Sequence, residues 1–132
     1  MKEVEVVGAV IYDHTQGYLC ALRGENMSLA GFWEFPGGKV EAGEDHKAAL
    51  IREIKEELSC SIVIGDHITS VSHDYDHLRV HLHTYWATFE EGRPTAKEHE
   101  ELRWVTLQEL NQLNWAPADI PTVDKLLESK KT

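Results

Sequence analysis

The most regular pattern in the chain lies in residues 79–89, where apolar and polar side chains alternate. Alternation with a period of two predicts a β-strand whose two faces differ in polarity. One face would carry Val80, Leu82, Thr84 and Trp86, and the other Arg79, His81, His83 and Tyr85. We therefore expect a strand with one apolar side and one polar, histidine-bearing side.

Shorter runs of β-branched and apolar residues predict five further strands. Residues 13–17 resemble a turn, so the two strands that flank it can form a hairpin. Gly65 and Asp66 interrupt a later apolar run and predict a break between two strands. The five predicted strands are residues 4–12, 18–23, 61–64, 67–72 and 102–105.

Three segments have helical patterns. The longest covers residues 45–58, with acidic residues at its start, where a helix N-terminus favours negative charge. Thr106 and Glu109 have the spacing of a capping box ahead of a short helix. A last helix begins near Pro121, and residues 129–132 are expected to fray. Strands that alternate with helices predict an α/β domain built on a mixed sheet.

The longest predicted helix has an unusual distribution of charge. Residues three and four positions apart share one helix face, so Glu53, Glu56 and Glu57 project the same way. Glu53 and Glu57 repel each other by a few tenths of a kcal/mol. Such a face is a poor choice for solubility alone, and we expect a positive partner between these carboxylates.

Composition limits the partners of the chain. Its 132 residues carry a formal charge of −10, which disfavours general binding to a nucleic-acid polymer. The negative charge still allows the chain to bind a small phosphorylated ligand, if a divalent metal neutralises both the protein carboxylates and the phosphates. No stretch approaches membrane-spanning length or resembles a signal peptide. Cys20 and Cys60 lack metal-binding spacing and are expected to be buried free thiols in a reducing cytosol, so we expect a cytoplasmic protein that binds no membrane.

The segment from Gly37 to Cys60 combines features that suit phosphate chemistry. Clustered carboxylates bind hard cations such as Mg²⁺, which keeps substrate phosphates among its ligands. Gly37 and Gly38 allow close approach of backbone groups, and Arg52 can hold a carboxylate in place. These parts indicate metal-assisted attack of water on a phosphoanhydride.

The same segment resembles the Nudix box, G-x5-E-x7-R-E-U-x-E-E-x-G-U. The one departure is Ser59, which stands where the pattern has glycine at the helix exit, a position that favours a left-handed conformation. The charged and glycine positions that match are Gly38, Glu44, Arg52, Glu53, Glu56 and Glu57.

Flanking segments resemble the MutT branch of the Nudix family over almost the full chain. FWEFPGGKVEAGE is similar to its approach to the box, and LNWAPADIP to its base-contacting segment. The resemblance implies a single Nudix domain over residues 1–132 with an α/β/α sandwich and a mixed central sheet. It also implies Mg²⁺-dependent hydrolysis of a nucleoside triphosphate to monophosphate and pyrophosphate, such as removal of 8-oxo-dGTP from the nucleotide pool. The alternatives are a cytosine nucleotide (CTP or a modified dCTP) and a non-catalytic nucleotide-binding module.

Roles for individual residues follow from the same resemblance. The Gly37 carbonyl with Glu53, Glu56 and Glu57 would hold Mg²⁺, with Mn²⁺ as the alternative ion. Glu53 or the loop residue Glu98 would be the general base. Arg52 would orient the carboxylates, and Glu44 and Gly38 would support the metal site. The protein is expected to be a monomer or a weak homodimer.

Other candidate residues have two interpretations each. Glu98 lies among other glutamates and can equally be a solvated loop residue. Arg23 could contact a phosphate or be a surface arginine, and Phe35 could lie beside a base or in the core. Asp119 could recognise a base or cap the last helix. MutT has Asn at the position of Asp119, and an ionised Asp accepts hydrogen bonds but does not donate them, which weakens a simple transfer of oxidised-guanine specificity.

Four histidines invite a transition-metal interpretation, because imidazole is a common metal ligand. They are His73, His77, His81 and His83. The strand pattern places His81 and His83 on one face, but no cysteine or extra carboxylate completes a tetrahedral site nearby in the sequence. A polar sheet face that lines or flanks the cleft is the preferred interpretation.

Overall fold

The computed structural model describes residues 1–129. Of the tail predicted to fray, residues 130–132 lie outside the described part. No helix among the described residues is both long and apolar enough to cross a membrane. The strands are β1 (Lys2–Asp13), β2 (Gly17–Leu22), β3 (Trp33–Glu34), β4 (Gly37–Lys39), β5 (Ser61–Tyr75), β6 (Leu78–Glu91) and β7 (Glu101–Val105), and the helices are α1 (His46–Leu58), α2 (Leu107–Leu110) and α3 (Ile120–Ser129), preceded by a 3-10 turn at Pro117–Asp119.

The sheet is mixed, as predicted. Strand β1 runs parallel to β6, and β6 pairs with β5 in antiparallel fashion. The opposite edge of β1 pairs with β4 near Val7 and forms a short hairpin with β2 at Tyr12 and Asp13. Strand β2 continues to β3 and β7. Strand β1 therefore joins two sets of strands, and residues of both sets line the main cavity.

One predicted break is wrong. Residues 61–64 and 67–72 belong to the single strand β5, which continues through Gly65 and Asp66. The pairing register with β6 shifts between Ile64 and His67 and again between His67 and Thr69. A bulge of this kind accommodates unpaired residues while the ladder continues, so the glycine bends the strand without ending it.

Apolar clusters on both sides of the sheet complete an α/β/α sandwich, which confirms the predicted fold class. Leu50, Ile54 and Leu58 of α1 pack with Val7 on one side. Val123 and Leu126 of α3 and Leu110 of α2 form part of the cluster on the other side. Cys20 and Cys60 are both buried and free, as expected.

Helix α1 begins and ends close to its predicted bounds. The Asp45 carboxylate accepts a hydrogen bond from the Ala48 amide at 2.7 Å, an N-cap contact. At the other end Ser59 has φ 58° and ψ 34°, and its N–H donates to the Lys55 carbonyl. Serine therefore adopts the left-handed conformation that the family pattern assigns to glycine, at a cost of about 1 kcal/mol, and the helix exit does not shift.

Candidate active site

A cavity of about 930 Å³ is lined by residues of β1, β4, α1, β5 and β6 and of neighbouring loops. Its volume lies within the size range of small-molecule sites. Two kinds of lining meet there. One end is formed by Gly37 and Gly38 of β4 with Glu53 and Glu57 of α1. The other end is more apolar and includes Phe35, Tyr75, Leu82, Ala116, Ala118 and Asp119.

Arg52 organises the carboxylate end. Its Nε and Nη2 donate to the two oxygens of Glu44 at 2.7 and 2.9 Å, a bidentate arrangement. Its Nη1 donates to Glu53 at 2.7 Å and to Glu56 at 3.1 Å, and Nη2 also reaches the Lys39 carbonyl. The guanidinium is a positive partner for Glu53 and Glu56, but no contact with Glu57 is described, so it meets the expectation for the Glu53–Glu57 pair on one side only. Its hydrogen bonds lower the pKa of Glu44 to about 2.

Glu53 and Glu57 differ from Glu44 in the direction of their pKa shifts. Desolvation raises the pKa of each carboxyl, and Arg52 counteracts part of the rise at Glu53. The Glu57 Oε2 atom is buried and has no hydrogen-bond partner among the described residues. A buried carboxylate oxygen without a donor is costly, and a bound cation would remove that cost.

The glycines leave room for this arrangement. A Cβ atom at Gly38 would overlap the carboxylate of Glu53, and one at Gly37 would overlap the Val7 carbonyl. Oxygen ligands from Glu53, Glu57 and the β4 backbone fit a hard divalent cation such as Mg²⁺. Glu56 does not line the cavity, and its side chain is 58% exposed, so of the three predicted carboxylate ligands the structure brings Glu53 and Glu57 together in the cavity.

The apolar end is assembled from distant segments. The ring of Phe35 is buried and stacks on Trp115 with centroids 4.6 Å apart. The Ala118 amide donates to the Tyr75 hydroxyl at 2.9 Å. Phe35 therefore combines its two predicted roles, because it packs in the core and also lines the cavity.

Asp119 is almost completely buried, at 5% exposure. Its Oδ1 accepts a hydrogen bond from the Phe35 amide at 3.2 Å, and burial raises the pKa of its carboxyl well above the usual value. Phe35 lies in the segment that connects β3 to β4. The described hydrogen bond of the Asp119 side chain is therefore made to that segment and not to the first turn of α3, so the capping interpretation is wrong. Burial thus favours the protonated carboxyl, which both donates and accepts, and this weakens the objection drawn from an ionised Asp at this position.

Arg23 lines the cavity but is already engaged. Its Nη1 donates to Glu34 at 2.7 Å, and Nη2 donates to the Ser28 hydroxyl at 3.0 Å. The other Glu34 oxygen lies 2.7 Å from Nε2 of His99, whose Nδ1 is buried and unpartnered within residues 1–129. Arg23, Glu34 and His99 together form one cavity wall. Of these only Arg23 was predicted as a site residue, and the signal for His99 was a single histidine among loop glutamates.

Glu98 does not line the cavity, and it is exposed. Its charge nonetheless lies close enough to help raise the pKa of Glu57. Its neighbour His99 occupies the cavity wall instead.

Among the four histidines, His77 lines the cavity as the preferred interpretation expects, whereas the interpretation needs correction for His81 and His83. The two faces of β6 are as predicted, with Val80 and Leu82 in the cavity lining, but His81 and His83 are not part of that lining. They lie on the opposite face and contact Glu3 and Glu5 of β1. These two carboxylates were not expected beside the histidines, because the parallel pairing of β1 with β6 joins strands that are far apart in the sequence.

Comparison with known proteins agrees with this geometry. The NUDIX domain model matches residues 6–125. CTP pyrophosphohydrolase of Escherichia coli (strain K12) is 37% identical over 127 residues, covering 96% of this chain and 93% of the relative. The 8-oxo-dGTP diphosphatase of the same organism is 27% identical over 126 residues, covering 96% and 98%.

A solved structure extends the similarity to three dimensions. It is that of DNA mismatch repair protein MutT from methicillin-resistant Staphylococcus aureus 252, with 48% identity, a TM-score of 0.79, and coverage of 98% of this chain and 99% of that one. The predicted family and fold are confirmed, and so is the predicted enzyme class, a hydrolase of nucleotide phosphoanhydride bonds. With its box running from β4 through α1 and a family match over most of its length, the chain belongs to the Nudix hydrolase family.

Proposed function

We propose that the protein is a Mg²⁺-dependent nucleoside triphosphate pyrophosphohydrolase that releases a monophosphate and pyrophosphate. Its proposed physiological role is the removal of oxidised nucleotides such as 8-oxo-dGTP. Nudix hydrolases generally use a divalent metal, and the choice of Mg²⁺ rests on the oxygen-only character of the ligand set. The relative named 8-oxo-dGTP diphosphatase supports the substrate class.

One observation carries the proposal: the carboxylate end and the apolar end belong to the same cavity. A nucleoside triphosphate also has one charged end and one less polar end, with phosphates at the first and a flat base at the second. Placing the phosphates near Glu53 and Glu57 directs the base toward Phe35 and Asp119. Positioning of this kind accounts for a large part of phosphoryl-transfer catalysis.

The residues at the carboxylate end have distinct proposed roles. When bound, Mg²⁺ supplies positive charge that neutralises the phosphates and promotes ionisation of the attacking water. Glu53, Glu57 and the Gly37 carbonyl would hold it, while Glu56 would contribute from the exposed edge. Arg52 holds Glu53 and Glu44 in fixed orientation through its guanidinium.

The proton acceptor is proposed to be Glu53 or Glu98. Glu53 lies in the cavity and is oriented by Arg52. Glu98 does not line the cavity, and its side chain is exposed. Glu53 is therefore the stronger proposal in the absence of substrate.

At the apolar end, the Asp119 carboxyl would read the base edge, and its burial favours the protonated form. With one oxygen fixed by the Phe35 amide, the carboxyl can present both a donor and an acceptor. That pair suits a guanine-like edge, and its donor function is lost on ionisation. The second candidate substrate is a cytosine nucleotide, favoured by the 37% identity to CTP pyrophosphohydrolase.

A nucleotide panel with Mg²⁺ tests the proposal. We expect pyrophosphate and monophosphate release, with 8-oxo-dGTP giving the highest kcat/KM. A higher kcat/KM for CTP or a modified dCTP would replace the first substrate by the second. Binding without release from any nucleotide would overturn the enzymatic proposal and leave a nucleotide-binding module.

A further inference from the structure

A second group of potential metal ligands lies on the sheet face opposite the cavity lining of β6. Glu5 of β1, His83 of β6 and His46 at the start of α1 each offer one ligand atom, and these atoms all lie within 4.8 Å of one another. His83 Nε2 and Glu5 Oε1 are 2.7 Å apart. The imidazole rings of His46 and His83 have centroids 4.3 Å apart. Three separate elements thus converge on one point.

Both imidazoles are oriented by hydroxyl groups. His83 Nδ1 lies 2.7 Å from the Ser70 hydroxyl, and His46 Nδ1 lies 2.8 Å from the Tyr85 hydroxyl. Histidine ligands in metal sites characteristically have the second ring nitrogen hydrogen-bonded in this way. With Nδ1 engaged in both rings, Nε2 is the nitrogen that each would use for a metal.

A second Glu–His–Ser row lies on the same strands, two residues away from the first, and can be compared with it. His81 lies between Glu3 and the Ser72 hydroxyl, at 2.6 Å from each. This row repeats the Glu–His–Ser order of Glu5, His83 and Ser70. Within residues 1–129 no third ligand joins the His81 row at the same spacing. His46 is therefore what distinguishes the two rows.

We propose that Glu5, His46 and His83 form a binding site for a zinc-class transition-metal ion, separate from the Nudix carboxylates. Two imidazoles and one carboxylate are a known zinc ligand set, with the fourth position open to solvent. Bonds of about 2.0–2.2 Å place ligand atoms about 3.4 Å apart in a tetrahedron. The ligand atoms lie within 4.8 Å of one another and would have to approach to this tetrahedral spacing. Glu5 can make that adjustment, because its side chain is 51% exposed.

The metal requires the neutral His83 tautomer whose single ring proton lies on Nδ1, so that Nε2 is free for the ion and no proton is released from this ring. The Ser70 hydroxyl would then accept a hydrogen bond from His83 Nδ1–H and donate one to His67 Nε2, 2.7 Å away. Burial and the neighbouring His83 lower the pKa of His46, which favours the neutral imidazole that a metal requires.

The site would fasten the first residue of α1 to β1 and β6. Because α1 also carries Arg52, Glu53 and Glu57, an ion there would stabilise the helix that supports the active site. An ion that binds only the folded chain raises the thermal midpoint. We expect a rise of roughly 5–10 °C at a hundredfold excess over Kd.

The experiment is a Co²⁺ titration of tag-free, chelator-treated protein in millimolar Mg²⁺, which occupies the oxygen site. Co²⁺ bound by imidazoles at low coordination absorbs strongly in the visible, whereas octahedral oxygen-bound Co²⁺ absorbs weakly. We expect a band that saturates at one equivalent and is displaced by Zn²⁺. His83→Gln should weaken binding at least tenfold, and Ser70→Ala should weaken it about tenfold through loss of ring orientation.

His81→Gln is the matched control, because it removes the corresponding residue of the neighbouring row and should leave Co²⁺ affinity unchanged. Circular dichroism without metal checks that each variant folds. Zn²⁺ should raise the thermal midpoint of the wild type and of His81→Gln, but not of His83→Gln. Absence of a saturable band in the wild type, or equal weakening by both histidine variants, would overturn the proposal.

Discussion

The two ends of the main cavity are built in different ways. The carboxylate end depends on one helix and the glycine strand before it, and a single guanidinium connects Glu44, Glu53 and Glu56. The apolar end brings together the segment after β3, the end of β5 and the 3-10 turn. The Phe35 ring stacks on Trp115, and the Phe35 amide donates a hydrogen bond to the Asp119 carboxyl. Local sequence therefore encodes the reaction chemistry, whereas long-range packing creates the base-facing surface.

This difference has a functional consequence. Changes at the carboxylate end should reduce hydrolysis of every nucleotide alike, since all substrates share the same phosphates. Changes at the apolar end should affect nucleotides unequally, because bases differ in their donors and acceptors. The variants below test this separation, from the largest expected effect to the smallest.

Glu57→Gln should have the largest effect. The change removes a charged oxygen at a buried position that has no partner among the described residues, so the site loses cation affinity without losing a protein contact. We expect kcat/KM to fall by about 10³-fold or more for all nucleotides. The thermal midpoint without metal should be unchanged or higher, because an unpaired buried charge is removed.

Glu56→Gln provides the graded comparison. This side chain is exposed and does not line the cavity, so its loss in kcat/KM should be clearly smaller. Wild-type activity in the Glu57 variant would contradict the assignment of the carboxylate end. A loss restricted to one nucleotide would contradict the separation of the two ends.

Arg52→Lys should rank next. Lysine keeps the charge but cannot reproduce the fork that binds Glu44 through two nitrogens, and it cannot reach Glu53 and the Lys39 carbonyl at the same time. We expect kcat to fall by about 10²-fold with little change in base preference. Steady-state kinetics on two nucleotides measure both quantities, and a changed preference would argue for an effect that spreads across the cavity.

Asp119→Asn should change base preference by roughly tenfold, in line with the contribution of a base-edge contact. Asparagine can still accept from the Phe35 amide, but it presents a fixed donor pair in place of a carboxyl. The ratio of kcat/KM values for 8-oxo-dGTP and CTP is the measurement. Asp124→Asn, at an exposed position of α3, is the control. An equal fall for all nucleotides would remove Asp119 from base recognition.

The smallest effect concerns stability and pH. Burial raises the pKa of the Asp119 carboxyl, so the folded chain holds this proton to higher pH than the unfolded chain does. Stability from this group is complete below the unfolded pKa of about 3.9 and is lost as pH rises toward the folded pKa. The thermal midpoint of Asp119→Asn should therefore exceed the wild-type value by a margin that widens from pH 4 to neutral pH.

The control for this measurement is again Asp124→Asn, whose midpoint should follow the wild type across the same range. A constant difference between Asp119→Asn and the wild type at all pH values would mean that Asp119 has the same pKa in the folded and unfolded chains.

The sequence by itself determined the helix that carries the carboxylates. Asp45, Glu53, Glu57 and Ser59 all lie within one local pattern, and helix periodicity, capping and the family motif depend on residues close in the chain. The strand faces of β6 were predictable for the same reason. Even the left-handed exit at Ser59 follows from the motif, and the structure retains it.

Only the tertiary structure decided which distant residues meet. The bulge in β5 preserves a ladder that the glycine appeared to interrupt in the sequence, since pairing with β6 continues on both sides. The burial of Asp119 raises the pKa of its carboxyl well above the usual value, and the parallel pairing of β1 with β6 brings Glu5 to His83. Contacts across 78 or 84 residues depend on packing of the whole domain, and no local periodicity encodes them.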